Sequence, residues 1–342
     1  MAKPTISYAQ RFEDIYLMRC FGSRSDGFYI DIGSGHPVYD NASFAFYLEG
    51  WHGVTVEPNP TLAPLSRAIR PRDRHVEALL GASVGEAMFY LVEDFHGLST
   101  MIEGHARAAH QQFGKSSQAM AMPVTTLHEL CRRHAPPVFE FLKVDVEGAE
   151  QEVLLNGDWQ SFRPKVVVVE ALAPYTLAPA WPAWEPFLAK HGYRYVWFDS
   201  LNRYYLAEEA SELARCFETA PRTFEEVFQF RTVKPALADD RHPDHRLAKL
   251  LAGNDMTHLP LLGRDVLLER VTADIGYTAL EQPAGADAIA EATERVFGPE
   301  GRLSGKGLKL PPVPRLREVY AALLDSDEFR AACGRISASY AW

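Results

Sequence analysis

Cysteine is sparse in this chain of 342 residues: Cys20, Cys131, Cys216 and Cys333 are the full set, with no CxxC spacing and no histidines at zinc-finger intervals. A disulfide framework and a structural zinc are therefore not expected. Long apolar runs are missing as well. None approaches the roughly 20 residues that cross a bilayer, and the opening stretch MAKPTISYAQRFED has no apolar segment of signal-peptide length. The expectations are no membrane span and a cytoplasmic location. Positive charge is not in excess, since 35 Lys plus Arg face 45 Asp plus Glu for a net charge of -10. Without a basic field, nucleic acid is not an expected partner. Internal repeats and low-complexity tracts are also lacking. What is present, 47% hydrophobic and 11% aromatic residues, is enough for a sizeable core, and the length suits one large domain with an appendage.

Apolar β-branched runs alternate with helix-compatible stretches, the pattern of an α/β fold. The runs are Phe28-Tyr-Ile-Asp31-Ile32, Gly53-Val-Thr-Val56, residues 87–92, residues 139–146, and residues 165–170 with four consecutive valines. Strands apolar on both faces suit a parallel sheet covered by helices. A helix is expected around residues 184–191. Residues 193–198 and 204–206 then follow with a five-residue separator, which predicts an antiparallel hairpin closing the sheet. Past residue 232 strand-type runs vanish, so a boundary is placed there: 1–232 as one domain and 233–342 as a mostly helical one. Helices are expected at 245–251, 264–276 and 287–297, then a stiff spacer, Leu310-Pro-Pro-Val-Pro314. A last helix carries Phe329, Ala332, Cys333 and Ile336 on one face, with Ser326 or Asp325 as N-cap.

Chemistry concentrates at the ends of the strands. Asp31-Ile-Gly33-Ser-Gly35 ends the first run in an acid and a glycine pair, which lets the backbone turn sharply and approach a ligand at the sheet's carboxyl edge. The third small residue of a dinucleotide fingerprint is replaced by Val38, which disfavours a nicotinamide enzyme. Glu57, at the end of the second run and ahead of Pro58-Asn59-Pro60, can accept both hydroxyls of a ribose; the plainer alternative is a capping or solvated carboxylate. Lys143-Val-Asp145-Val-Glu147-Gly148-Ala-Glu150 places a lysine and three carboxylates at another strand end. One of these acids could serve as a base, or the group could hold a divalent cation. Asp145 is read as functional, Glu150 as an exposed acid of a first helical turn, and Glu147 is left open. Glu170, at the end of the valine run, makes an oxygen-ligand or acid/base partner for Asp145, or a simple strand-end carboxylate.

The stretches Tyr8-Ala-Gln10-Arg11-Phe12-Glu13-Asp14, Phe28 to Gly35, Gly50-Trp-His-Gly-Val-Thr-Val-Glu57-Pro-Asn59-Pro60 and Leu142 to Glu150 together resemble the FkbM family of S-adenosylmethionine-dependent methyltransferases. Gly97-Leu-Ser99-Thr100, Trp184-Glu-Pro-Phe-Leu and Phe198-Asp-Ser-Leu-Asn202-Arg-Tyr-Tyr extend the likeness across roughly residues 7–230. The resemblance implies a class I, Rossmann-like sheet of seven strands with the last antiparallel. It implies that Asp31, Gly33 and Gly35 line the methionine end of the cofactor, that Glu57 holds the ribose with Asn59 beside it, and that Gln10 and Glu13 close over the site, the alternative for these last two being the polar face of an amphipathic surface helix. Relatives methylate oxygen on sugars in glycans and secondary metabolites, and related macrolide-sugar enzymes use a metal near the position of Asp145. Ser34-Gly35 and Arg11 depart from the common family pattern.

The expected activity is O-methylation of a sugar or glycan hydroxyl. Asp145, alone or through Mg²⁺ shared with Glu170, takes the proton, and His36 or His96 is the substitute base. Two rivals stand beside it: an NAD-dependent sugar oxidoreductase or epimerase, and a non-catalytic binding subunit with a methyltransferase-like fold. The C-terminal helices, unexplained by the resemblance, are expected to serve a homodimer seam or substrate docking.

Overall fold

The computed structural model describes residues 5–22, 24–92, 97, 99–174, 176–218, 227–299 and 308–340. It forms two compact units. One comprises the chain up to Ala63 and from Arg72 to Gln229; the other comprises Pro64–Pro71 and the chain from Phe230 onward.

Among the described residues, twelve strands belong to the first unit: β1 Thr5–Ser7, β2 Phe28–Ile32, β3 His52–Val56, β4 Arg74–Val76, β5 Leu79–Leu80, β6 Gly85–Val92, β7 Ser117–Thr125, β8 Val138–Val144, β9 Arg163–Glu170, β10 Tyr193–Phe198, β11 Asn202–Ala207 and β12 Val227–Gln229. Seven of them make the main sheet, in the order β10-β11-β9-β8-β2-β3-β4. The pairs from β4 to β9 are parallel, whereas β11 runs antiparallel to both β9 and β10. This is the seven-stranded sheet with an antiparallel last strand that the family resemblance implies, and it contains the predicted hairpin. The chain order reverses at β2, so β2 has β3 on one side and β8 on the other. In open α/β sheets, ligands bind at such a switch point, outside the carboxyl ends of the strands.

Burial on both faces explains the valine run. Val166, Val167, Val168 and Val169 are all inaccessible, with Val167 and Val169 in one layer beside Ile30, Ile32, Val54 and Val56, and Val166 and Val168 in the other beside Tyr29, Phe141 and Tyr204. Helix Glu13–Phe21 covers the second layer through Tyr16 and Leu17, and Phe46 and Trp51 fill it.

Several expectations need correction. The run at 87–92 is not part of the main sheet: it lies in β6, which pairs antiparallel with β7 in a separate sheet of order β5-β7-β6. Its alternation places Met88 in solvent and Phe89 inside, the pattern of a sheet with one wet face. The run at 139–146 ends as strand at Val144, and Asp145 and Val146 leave the sheet. The hairpin has the predicted partners, but β11 starts at Asn202, so the turn is shorter than the five residues expected. The short strands β1 and β12 pair in parallel, a contact between distant segments with no periodic signature.

In the second unit, helices His245–Leu250, Arg264–Val271, Ala286–Phe297, Leu316–Leu324 and Asp327–Ala338 gather around Leu247, Leu259, Val271, Val319, Leu323, Phe329 and Ile336. The expected helix to residue 276 stops at Val271, and Gly276 instead caps Tyr277–Leu280. Ser326, one of the two expected caps, accepts from Phe329 N–H through Oγ at 3.2 Å. Gly334 permits close packing within this unit, since a methyl group there would meet Ile69 at 2.7 Å. No helix among the described residues is long and apolar enough to cross a membrane.

Candidate active site

The acid–glycine turn after β2 is built by backbone contact. Gly33 and Ser34 donate to the carbonyl of Val56 at 2.9 and 3.1 Å, and Asp145 N–H donates to the carbonyl of Ile32 at 3.0 Å. These bonds tie the ends of β2, β3 and β8 together. Gly33 has φ of 73°, and a Cβ on it would stand 1.6 Å from the carbonyl oxygen of Asp145; only glycine fits there. Gly35 also has positive φ, but a Cβ on it would meet nothing among the described residues within 4 Å. The backbone at Gly35 therefore faces open space.

Asp31 lies at the end of β2, 1% exposed. Its Oδ2 accepts from Ser43 Oγ at 2.6 Å, while its Oδ1 is buried with no hydrogen-bond partner among the described residues. Buried carboxylate oxygens without a donor are costly. Ser43 is in turn fixed by Asn41, whose Nδ2 donates to the carbonyl of Ser34 at 2.9 Å. Sequence reasoning does not single out Asn41 or Ser43. The one signal for them is the Asn41-Ala-Ser43 pattern just ahead of helix Phe44–Leu48.

Glu57, at the end of β3, accepts from Gly35 N–H through Oε2 and from Asn59 N–H through Oε1, both at 2.9 Å. It is neither solvated nor a helix cap; it braces the glycine turn. Each oxygen keeps a further lone pair for a ligand hydroxyl. Burial, partly offset by those two N–H donors, raises its pKa to about 7, and the nearby Asp145 and Asp31 carboxylates add to the rise. Asn59 is buried and turns its Oδ1 to Thr61, accepting from both N–H and Oγ1.

The N-terminal segment reaches the same edge. Glu13 is buried, accepts from Arg11 N–H at 2.6 Å and from Asn202 Nδ2 at 3.1 Å, and thereby joins positions 189 residues apart. Burial, then the Asp199 carboxylate, pushes its pKa up to about 8. Asp199 accepts from Tyr204 Oη at 2.7 Å and from Asn202. Gln10 contributes through its backbone, its carbonyl accepting from Gln229 Nε2 at 2.7 Å.

Beyond β8 the acids gather. Asp145, Glu147 and Glu170 each offer a carboxylate oxygen within 4.8 Å of the others, bringing together Asp145 and Glu170 as the sequence expects and adding Glu147. Lys143 Nζ donates to Asp145 Oδ2 at 2.7 Å from a buried position. Burial opposes its charge, but the carboxylates of Asp145, Asp31 and Glu13 outweigh it and raise its pKa. Glu147 and Glu170 are pushed well above the ordinary carboxylate range by burial first and then by Asp145. Glu147 has φ of 52°, uncommon for a residue with a side chain. Thr100 Oγ1 donates to its carbonyl, and His105 Nδ1 lies 3.2 Å from the same oxygen. Glu150 is not the exposed first-turn acid expected: it is buried and accepts from Val146 and Gly148 N–H at 3.1 Å each, closing the loop after Asp145.

His36 is buried and close to the glycines. Its Nδ1 accepts from Val38 N–H at 3.2 Å and Tyr39 N–H at 3.1 Å, so the neutral ring carries its proton on Nε2 and is suited to donating a hydrogen bond rather than to taking a proton. His96 lies outside the described residues.

Residues 31–195 match the family model described as Methyltransferase FkbM domain. Among solved structures, a TehB-like SAM-dependent methyltransferase from Corynebacterium glutamicum aligns at 10% identity with a TM-score of 0.32, covering 57% of this chain and 87% of its own. No curated protein matches the chain in sequence.

Proposed function

We propose, from the premise that residues 31–195 are a methyltransferase domain of the FkbM family, that the chain transfers a methyl group from S-adenosylmethionine to a sugar hydroxyl. The observations that support the cofactor assignment are the unpartnered Asp31 Oδ1, the room for a Cβ at Gly35 among the described residues and Glu57 on the next strand end. An orphaned acceptor, a glycine backbone with room above it and a buried diol acceptor fit this cofactor's charged, backbone-hugging and ribose parts in turn. Bound there, S-adenosylmethionine supplies a methyl group already activated on a sulfonium sulfur.

The chain's own part is to bind, align and deprotonate. Asp145 has one oxygen held by Lys143 and a side chain that is 21% exposed, so it can meet an incoming hydroxyl and take its proton as the oxygen attacks. Carboxylates in this number favour an O–H donor as acceptor group. Labelled-methyl transfer to nucleotide-sugars and glycan fragments, with the product's methyl located on oxygen, tests the reading. A chain that binds NAD and not S-adenosylhomocysteine in calorimetry overturns it in favour of the oxidoreductase.

The pH dependence of binding gives a further check. Burial pushes the Glu57 carboxyl up to about 7, and its ionised form is the better acceptor for two ribose hydroxyls. Binding is then linked to proton release: the Kd for S-adenosylhomocysteine is expected to rise as pH falls below about 7, approaching tenfold per unit, by the same linkage that governs stability. Glu57→Gln is expected to flatten that slope between about pH 5 and 7; an unchanged slope removes Glu57 from the ribose site.

A second reading rests on the oxygen trio of Asp145, Glu147 and Glu170, whose donor chemistry suits Mg²⁺. If the metal is required, activity is lost in chelator and returns with Mg²⁺. Full turnover in chelator leaves Asp145 as the sole proton acceptor.

A further inference from the structure

We infer that Lys143 binds the α-carboxylate of the cofactor's amino-acid end, completing a zwitterion site with Asp31, whose place at that end is what the family resemblance implies. This rests on the S-adenosylmethionine reading above and adds a specific task for Lys143.

The two residues are direct neighbours across the β2–β8 register, so their side chains leave the same face of the sheet. Each is incompletely satisfied. An ammonium carries three N–H donors, and Lys143 uses one, on Asp145 Oδ2. Among the described residues its other donors have no hydrogen-bond acceptor, although the residue is only 5% exposed. Asp31 has the complementary deficit, a buried Oδ1 without a donor. The two do not form an ion pair with each other. A buried donor and a buried acceptor facing each other on adjacent strands call for a ligand that accepts from one and donates to the other. An α-amino acid group does both within one small fragment. The packing keeps the pair in place: Ser43 holds Asp31 Oδ2 and Asp145 holds Lys143, leaving the spare atoms for the ligand.

The test compares ligands with and without the amino-acid end. S-adenosylhomocysteine and 5′-methylthioadenosine share the nucleoside, and only the first has the zwitterion. In calorimetry, Lys143→Met is expected to weaken S-adenosylhomocysteine roughly 10- to 100-fold, the scale of a charge-assisted hydrogen bond, and to leave 5′-methylthioadenosine within about twofold, which also reports an intact fold. Lys143→Arg is expected to recover much of the loss. Equal weakening of both ligands assigns Lys143 to structure and overturns the inference, as does unaltered binding of both. Should Lys143→Met fail to fold, the wild-type chain decides alone: a decarboxylated S-adenosylhomocysteine must bind at least about tenfold more weakly than the parent, and equal affinity overturns the carboxylate contact. Failure of the wild-type chain to bind either nucleoside instead defeats the methyltransferase cofactor assignment itself.

Discussion

Asparagine in place of Asp145 is expected to lower methyl transfer by about 10²- to 10⁴-fold, the range for loss of a positioned general base, while S-adenosylhomocysteine affinity changes little. The separation follows from where the residue's parts lie. Its backbone N–H and carbonyl take part in the junction of β2, β3 and β8, and asparagine leaves these intact. The side chain alone carries the proposed task of proton acceptor, with Lys143 on one oxygen. The amide of asparagine can still accept from Lys143 but cannot take up a hydroxyl proton. Single-turnover kinetics with the labelled cofactor, beside calorimetry and a melting curve, would check it. Full turnover with an unchanged fold would falsify the assignment and transfer the role of base to Glu147 or Glu170.

Gly33→Ala should do its damage earlier, at folding. Its Cβ would sit 1.6 Å from the Asp145 carbonyl oxygen, and the left-handed backbone adds about 1–2 kcal/mol for a residue with a side chain. Backbone cannot yield as a flexible side chain does, so the two strand ends must separate. The cost is expected to exceed about 4–5 kcal/mol, enough to threaten the fold of a marginally stable domain. Gly35→Ala makes the contrast. It carries only the backbone strain, so melting falls modestly, but the methyl group enters the space assigned to the cofactor and binding is lost. A Gly33→Ala protein that melts like the parent would remove the close-contact role from Gly33. A Gly35→Ala protein that binds S-adenosylhomocysteine normally would remove Gly35 from the cofactor site.

The parallel core is legible in the sequence because burial on both faces leaves a mark that composition alone can carry: four adjacent valines have few other uses. The glycine turn and the strand-end acids Asp31, Glu57 and Asp145 are legible because strand ends adjoin apolar runs. Glu150 is not, for a physical reason. Two N–H groups of its own loop take its carboxylate inside, and a first-turn acid bonded this way has the same sequence as one in solvent. For the strand at residues 85–92, the apolar run does not state which sheet it joins. Helix Leu316–Leu324 buries Val319, Tyr320, Leu323 and Leu324, yet it lies between a proline-rich spacer and a better-marked helix, and its start has no side-chain cap of the usual Ser, Thr, Asp or Asn type.

The sequence by itself determined the alternating architecture, six of the seven strands of the main sheet and the acids at their ends. These depend on local periodicity and on residue type, both of which a linear chain displays. Tertiary structure alone decided which acids meet. Glu13 joins Asn202, Asp31 stands beside Lys143, and Asp145, Glu147 and Glu170 share a few ångströms, all through register and strand order. Those contacts also decide which groups hold protons, since burial and neighbouring charge, rather than residue type, push Glu13 and Glu57 toward neutrality. The acidic surplus visible in the composition thus becomes chemistry only where the sheet brings its strand ends together.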